Sequence, residues 1–274
     1  MNSIFEYLKR ILFSTIIVVT LVLPMAYAQA ENGLEYSLSG SLIHFDYQEF
    51  SDAGKLFDRE EGFIPGLAFG LSNKADQWVF AGDFAYHTGS VPYTGNTNTG
   101  IPIKTTTRQN IWEAGLRGEY WLQSDKGTEY AVYIGTNYHR WERDILSTTT
   151  PGGAYVSGLF EIYTWWTGFA GMKGEIYHSG ADSLLLDIRL LRTFIPEIKV
   201  SEYDNLKLTL GERWGGRLAL PWRSKLNEEN GLLVEPFVEY FEFGRSAIDP
   251  LTGVYEPFSK TLNYGLTAGV TRKF

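Results

Sequence analysis

From Leu34 to the last residue, apolar side chains alternate with polar or small ones at a period of two, in segment after segment. Leu34, Tyr36, Leu38, Gly40 and Leu42 stand against Glu35, Ser37, Ser39 and Ser41. Trp78, Phe80, Gly82, Phe84 and Tyr86 stand against Val79, Ala81, Asp83 and Ala85. Successive side chains of a strand point to opposite faces, so this pattern predicts strands with one apolar face. The same period covers 63–72, 111–122, 130–142, 158–171, 184–194, 206–222, 232–244 and 260–274, which with 34–42 and 78–86 makes ten strands. No helical period of comparable strength competes with it after residue 30.

The connections alternate in length. They are short after Ser72, Leu122 and Trp222, less tidy between Met172 and Ser183, and long over 47–62, 88–110, 143–157, 195–205 and 245–259. Short turns at one end and long loops at the other are the layout of an antiparallel up-and-down membrane β-barrel. The aromatic residues of the apolar face sharpen this expectation. They recur eight positions apart as Trp78 and Tyr86, Trp112 and Tyr120, Tyr130 and Tyr138, and Trp214 and Trp222, while Tyr264 and Phe274 are ten apart. Eight residues at about 3.3 Å each, tilted by roughly 40°, rise about 20 Å, close to the apolar band of about 25 Å between two aromatic girdles. Threading the chain up and down places Trp78, Tyr120, Tyr130, Trp222 and Phe274 at one level, and Tyr86, Trp112, Tyr138, Trp214 and Tyr264 at the other. A soluble sandwich has no reason to hold rings at both ends of its strands at a fixed separation.

Residues 1–30 follow a different plan. Lys9 and Arg10 precede an uncharged apolar run from Ile11 to Leu23, then come Pro24 and the small-residue stretch Ala26-Tyr27-Ala28-Gln29-Ala30. This is the three-part layout of a secretory signal peptide, with cleavage expected after Ala28 or Ala30. The run is also too short for the roughly 20 apolar residues of a spanning helix. The expected organisation is therefore a cleaved signal over 1–30 and one transmembrane barrel over 31–274. Its removal takes the formal charge from −8 to −9. An acidic balance excludes nucleic acid as a partner, because phosphate binding needs a basic surface. The absence of cysteine excludes a disulfide scaffold, and 15% aromatic residues exclude a disordered chain.

The closing segment, with Leu262, Tyr264, Leu266, Ala268 and Val270 on one face and Phe274 at its end, resembles the last strand of Gram-negative outer-membrane β-barrel proteins. The segments Asp58-Arg59-Glu60-Glu61-Gly62 and Glu235-Pro236-Phe237-Val238-Glu239-Tyr240 are similar to pieces of small ten-stranded proteobacterial barrels. The resemblance implies residence in the cell outer membrane and contact with its lipid and lipopolysaccharide. It also implies that the outer-membrane assembly machinery reads the strand ending in Phe274. It points to no particular activity and no cofactor.

Ten strands about 4.8 Å apart, tilted by roughly 40°, close into a cylinder of about 10 Å radius, which inward side chains nearly fill. Parity places Asp83, Glu113, Arg117, Glu119, Asp187, Arg189, Lys207, Arg213, Arg217, Glu235 and Glu239 inside, six acids against five bases. A buried unpaired charge costs several kcal/mol, so these groups are expected to pair and block the lumen. The leading expectation is a non-enzymatic envelope protein with a structural or surface-interaction role. A narrow small-solute or ion channel is the alternative.

A hydrolase at the rim is the second alternative. Asp83 and His87 lie four apart on one inward face, His139 faces inward on another strand, and Glu113 lies on the strand between them. Arg213 and Glu161 are further candidates, although the pair Trp165 and Trp166 leaves the facing of Glu161 open. A histidine with a carboxylate can act as a general base, and the ten-stranded omptin proteases place acids and a histidine at the barrel mouth. The chain lacks an adjacent aspartate pair, an Asp-x-His step in an outer loop, and a serine suitably placed beside a histidine. His87 with Asp83 is therefore expected as a satisfied lumen pair. A metal on His87, His139 and Glu113 would need a register across three strands, and no metal or cofactor is expected.

The long connections are the other place for function. Residues 88–107 are rich in Thr, Gly and Asn, with Pro92 and Pro102, and read as an extended surface loop whose shortening over 92–107 should spare the fold. The first loop carries Glu49, Asp52, Asp58, Glu60 and Glu61 against Lys55 and Arg59. Such loops are candidate sites for an extracellular ligand.

Overall fold

The alternation resolves into one closed sheet. A computed structural model of the chain describes residues 33–97, 100–123 and 128–274, so the signal peptide expected over 1–30 lies outside the described residues. The strands are β1 (Leu34–Phe50), β2 (Leu56–Ala75), β3 (Trp78–Asn96), β4 (Pro102–Gln123), β5 (Glu129–Ile145), β6 (Leu159–Ser179) and β7 (Asp182–Val200). An interrupted β8 follows (Leu206–Thr209, Trp214–Ala219, Trp222–Lys225), then β9 (Asn230–Phe243) and β10 (Phe258–Lys273). Each pairs antiparallel with the next, and β10 pairs with β1 along its whole length, from Glu35 opposite Lys273 to Phe50 opposite Phe258. The chain is thus an all-β barrel of ten antiparallel strands. Closure removes the free edges that would otherwise invite pairing with other chains. The termini and short turns lie at one end, called lower here, and the longer connections at the upper end.

The apolar face points outward. Ile134 is 71% exposed and Leu67 64%, values that water would punish and lipid would not. Rings flank this band: Trp78 packs on Tyr120 at 4.9 Å at the lower level, and Tyr138 on Trp166 at 5.2 Å at the upper level. Above Tyr138 and Tyr264 the outer face turns charged, with ion pairs Arg59–Asp46, Arg140–Glu142 and Arg108–Asp144.

The strands run well past the upper rings, which corrects the expected loops. The turn after β1 is residues 51–55 rather than 47–62, and the hairpin of β3 and β4 is ordered to Asn96 and from Pro102. In residues 88–107 the alternation persists in a disguised form, because Val91, Tyr93, Ile103 and Thr107 are buried while threonine, glycine and proline occupy the outward positions. Threonine is a strand former, so a stretch that looks like loop by composition still pairs. Residues 92–96 and 102–107 are therefore paired strand rather than surface loop. Likewise Glu49, Asp58 and Glu60, expected on an acidic surface loop, point into the barrel and are buried.

Two irregularities set side-chain facing. Between Thr164/Glu197 and Trp166/Phe194 the β6–β7 register gains a residue on β7, where Ile195 has φ 48° next to Pro196. The bulge shifts parity within β7, from Leu191 and Thr193 inside to Pro196, Ile198 and Val200 inside, while β6 alternates unbroken with Glu161, Tyr163, Trp165 and Thr167 inside and Trp166 outside. In β8, ordering lapses over 210–213, where Gly211 bridges Gly244 so closely that a Cβ on Gly211 would meet the Cα of Gly244 at 2.9 Å. Parity flips across that stretch: Leu208 and Leu210 face in below the flip in sequence, Arg217 faces in after it.

Candidate functional site

The interior is layered. The top layer is built from the inward positions that follow the girdle on seven strands. Aromatic side chains form its floor: Phe45, Tyr47, Trp141, Tyr163, Trp165, Phe241 and Phe243 are each at most 9% exposed. They interlock edge to face or stacked, with Tyr47–Trp141 at 4.9 Å, Trp141–Tyr163 at 4.7 Å and Trp165–Phe243 at 5.0 Å between centroids. Such geometries align ring edges with ring faces and exclude water from the spaces between them.

On this floor sits Arg143, 1% exposed, its guanidinium 4.6 Å from the Tyr47 ring centre. Its nitrogens reach Glu161 at 2.7 Å, Glu60 at 2.8 Å, Glu49 at 3.0 Å and the Tyr163 hydroxyl at 3.0 Å. The acids are held in turn by donors. Thr107 and Gln109 donate to Glu60 at 2.8 and 2.6 Å, Tyr47 donates to Glu49 at 2.8 Å, and Tyr163 donates to Glu256 at 2.6 Å. Tyr93 donates to Asp58 at 3.2 Å. Glu256 comes from the connection before β10, which folds inward through Ser246, whose backbone and hydroxyl bond Glu256 at 3.0 and 2.8 Å. One arginine thus ties β1, β2, β5 and β6 across the barrel.

This layer lies above the girdle, in the part of the barrel outside the apolar band. Burial is the main cause pushing Glu256 far above the usual carboxylate range, with Glu49 and Glu161 adding to it. Burial also raises Glu161 to about 7, against the pull of Arg143 and with help from Glu49 and Glu60. Asp58 is raised by burial and by Glu49, its direct cross-strand partner.

Below the aromatic floor lies a cavity of about 90 Å³ and beneath it a larger one of about 270 Å³ that reaches residues near the lower end such as Glu35, Ser72 and Arg223. The charges read from parity are distributed here as follows. Arg117 lies 2.6 Å from Glu119 and 3.6 Å from Asp83, and Lys173 shares Glu119 at 2.7 Å. Arg217 lies 2.8 Å from Glu235 and 3.6 Å from Glu239. Glu113 accepts from Asn137 and lies 3.4 Å from His139. Asp187 accepts from the Tyr133 hydroxyl, and Arg189 lies over Phe169 at 4.3 Å. Two basic groups depart from the expected placement, Lys207 because of the parity flip in β8 and Arg213 because it lies in the irregular stretch itself. Lys207 is exposed and pairs with Glu197 at 2.7 Å, and Arg213 is exposed, donating to the carbonyl of Glu212.

Of the rim candidates, His87, Glu113 and His139 line one cavity, while Asp83 lies beside Arg117. His87 does not pair with Asp83; its Nε2 lies 3.1 Å from Ser41 Oγ, a serine–histidine contact that the sequence concealed because Ser41 and His87 sit on non-adjacent strands. His139 Nε2 meets Thr167 Oγ1 at 3.0 Å and stacks on Trp165 at 4.6 Å. No cluster of three metal-ligating side chains occurs among the described residues. The girdle residues all lie on the outer face. What sequence reasoning missed is the upper layer, and the signal for it was present: Phe45, Tyr47 and Glu49, Asp58 and Glu60, and Trp141 and Arg143 continue the period beyond the rings.

Among solved structures, the chain is similar to the outer membrane protease OmpT from Escherichia coli at 10% identity, over 90% of this chain and 100% of that one, with a TM-score of 0.61. It is also similar to the translocator domain of the autotransporter NalP from Neisseria meningitidis, at 11% identity over 97% of this chain and 98% of that one, with a TM-score of 0.49. At such identity the likeness to OmpT shows the fold alone. No protein-family model and no curated relative matches the sequence.

Proposed function

We propose that the chain is a non-conducting barrel of the Gram-negative outer membrane, with a structural or surface-interaction role. In this reading the termini and short turns are periplasmic, the outer band contacts lipid, and the charged face above it contacts lipopolysaccharide. The strand ending in Phe274 serves assembly, and the signal peptide over 1–30 serves export. The single observation that carries the closed lumen is the Arg143 layer, in which one buried cation and the rings beneath it span the barrel interior. A solute would have to break several charge-assisted hydrogen bonds at once to pass. Against the hydrolase reading stands the separation of Asp83, held near Arg117, from His87.

The test is ion conductance of the refolded chain lacking 1–30 in a planar bilayer, with insertion established separately by protease protection in vesicles. A silent bilayer is expected. Steady open steps at neutral pH would overturn the closed-lumen reading and favour a channel.

A further inference from the structure

The two cavities below the aromatic floor meet at a shared collar, and the collar has one cation without a carboxylate in ion-pair contact. His87, Glu113, Arg189, Arg217 and Phe237 line both spaces. Arg217 has Glu235 and Glu239, and Glu113 has Asn137 and His139. Arg189, by contrast, has no carboxylate within 4.0 Å among the described residues, and its Nε is buried without a hydrogen-bond partner. Its flat face is spent on rings, 4.3 Å from the centre of Phe169 and 5.7 Å from that of Tyr133. Asp187, two residues down the same strand, is engaged by the Tyr133 hydroxyl instead. A guanidinium stacked in this way is held in place while its unpartnered Nε–H can still donate to a carboxylate in its plane.

The surroundings of that edge differ above and below. Above, the smaller cavity is walled by Ile43, Phe45, Trp141, Trp165, Phe169 and Leu191 and closed by the Arg143 layer. Below, the larger cavity has hydroxyl side chains on one wall, Ser37, Ser39, Ser41, Thr267 and Thr271, and leads toward Arg223 near the lower end. Small hydroxyl residues leave space where the opposite wall carries long charged ones. Arg223 likewise has no ion pair among the described residues, while Glu35 also lines the lower end, so the pull on an anion comes from Arg189 rather than from the net charge of the path.

We propose that the lower lumen is a binding site for a small amphipathic carboxylate that enters from the end carrying the termini. Its carboxylate pairs with Arg189 and its short hydrocarbon tail occupies the aromatic-walled cavity above. A volume of about 90 Å³, below the roughly 150 Å³ of an apolar cavity that takes up benzene, limits that tail to a few carbons. The ligand is released by the way it came, because the layer above is closed.

Trp141 and Trp165 line the upper cavity and report its occupancy through their fluorescence. The refolded chain lacking 1–30, in non-ionic detergent, is titrated with sodium butyrate, sodium acetate, butylammonium chloride and inorganic phosphate at constant ionic strength. The expected result is a saturable change with butyrate, at least tenfold weaker binding of acetate and phosphate, and none of butylammonium. Arg189→Gln should weaken butyrate binding at least tenfold. Leu191→Trp keeps Arg189 and fills the tail cavity, so it should abolish discrimination between butyrate and acetate even if the arginine variant fails to fold. No response to butyrate overturns the site, an equal response to butylammonium overturns the role of Arg189, and acetate binding as tight as butyrate overturns the tail cavity. Absence of butyrate binding would leave a silent bilayer still explained by the Arg143 layer, and open steps in the bilayer would leave the Arg189 titration intact.

Discussion

Arg143 is buried where no water can solvate it, and its position is bearable only because every face is occupied. Three carboxylates and a phenol hydroxyl take its hydrogen bonds, and aromatic rings cover its plane. Replacing it with an apolar side chain of similar length leaves Glu49, Glu60 and Glu161 facing one another without the cation. Removing one partner of a buried ion pair typically costs about 3–5 kcal/mol, whereas an exposed pair is worth about 0–1 kcal/mol. Arg143→Met should therefore lower the free energy of urea unfolding in lipid vesicles by about 3–5 kcal/mol, while Arg140→Met, whose pair with Glu142 lies on the outer face, should change it by less than about 1 kcal/mol. Equal effects for the two would mean that the layer does not bear the load described for it.

At the scale of the element, the hairpin of β3 and β4 decides between a decorative loop and a structural wall. Tyr93 supplies Asp58 with its donor and Thr107 supplies Glu60 with one of its own, while Ile103 packs against Tyr93. Deleting 92–107 removes all three and opens the side of the upper barrel. That deletion should abolish the heat-modifiable gel shift that marks a folded barrel, whereas replacing only the turn 97–101 with Asn-Gly, the sequence suited to a tight hairpin, should preserve it. A deletion variant that refolds normally would show that the hairpin is an appendage after all. The same elements show what was legible beforehand. Within the apolar band a ring every eight residues marks both strand and facing, so the barrel and its girdles can be read directly. Above the band the outward positions become threonine, glycine and charge, and the contrast that reveals a strand disappears although the inward period continues. Bulges are the second limit. Ile195 shifts parity within β7 and the irregular stretch 210–213 shifts it within β8, which turned Lys207 to the surface and took Arg213 out of the regular strand, and neither leaves a mark stronger than a neighbouring proline or glycine.

For the whole molecule, the upper layer makes stability a function of pH, because it lies outside the apolar band and gathers more acids than bases. Glu49 from β1, Asp58 and Glu60 from β2, Glu161 from β6 and Glu256 from the connection before β10 face Arg143 from β5, with the hydroxyls of Tyr47, Tyr93 and Tyr163 among them. Burial, reinforced by neighbouring acids, raises Asp58 and Glu256, and raises Glu161 from 4.5 to about 7. A carboxyl group whose folded value is raised holds its proton in the native barrel at a pH where the unfolded chain has already lost it. Native protein then binds more protons than unfolded, and unfolding free energy falls as pH rises. For Glu161 this loss begins near the ordinary value of 4.5 and is complete just above about 7, while Glu256 and Asp58 extend it upward. Asp249 is lowered by hydrogen bonds from Thr252, so its contribution changes only in more acid solution and does not oppose the trend in this window. The urea midpoint of the native chain in vesicles, taken relative to that of Glu161→Gln, should accordingly decrease from pH 5 to pH 8. Glu161→Gln keeps the shape and removes the titrating proton. A relative midpoint that rises with pH over the same window would mean that Glu161 is ionised in the native barrel and held so by Arg143.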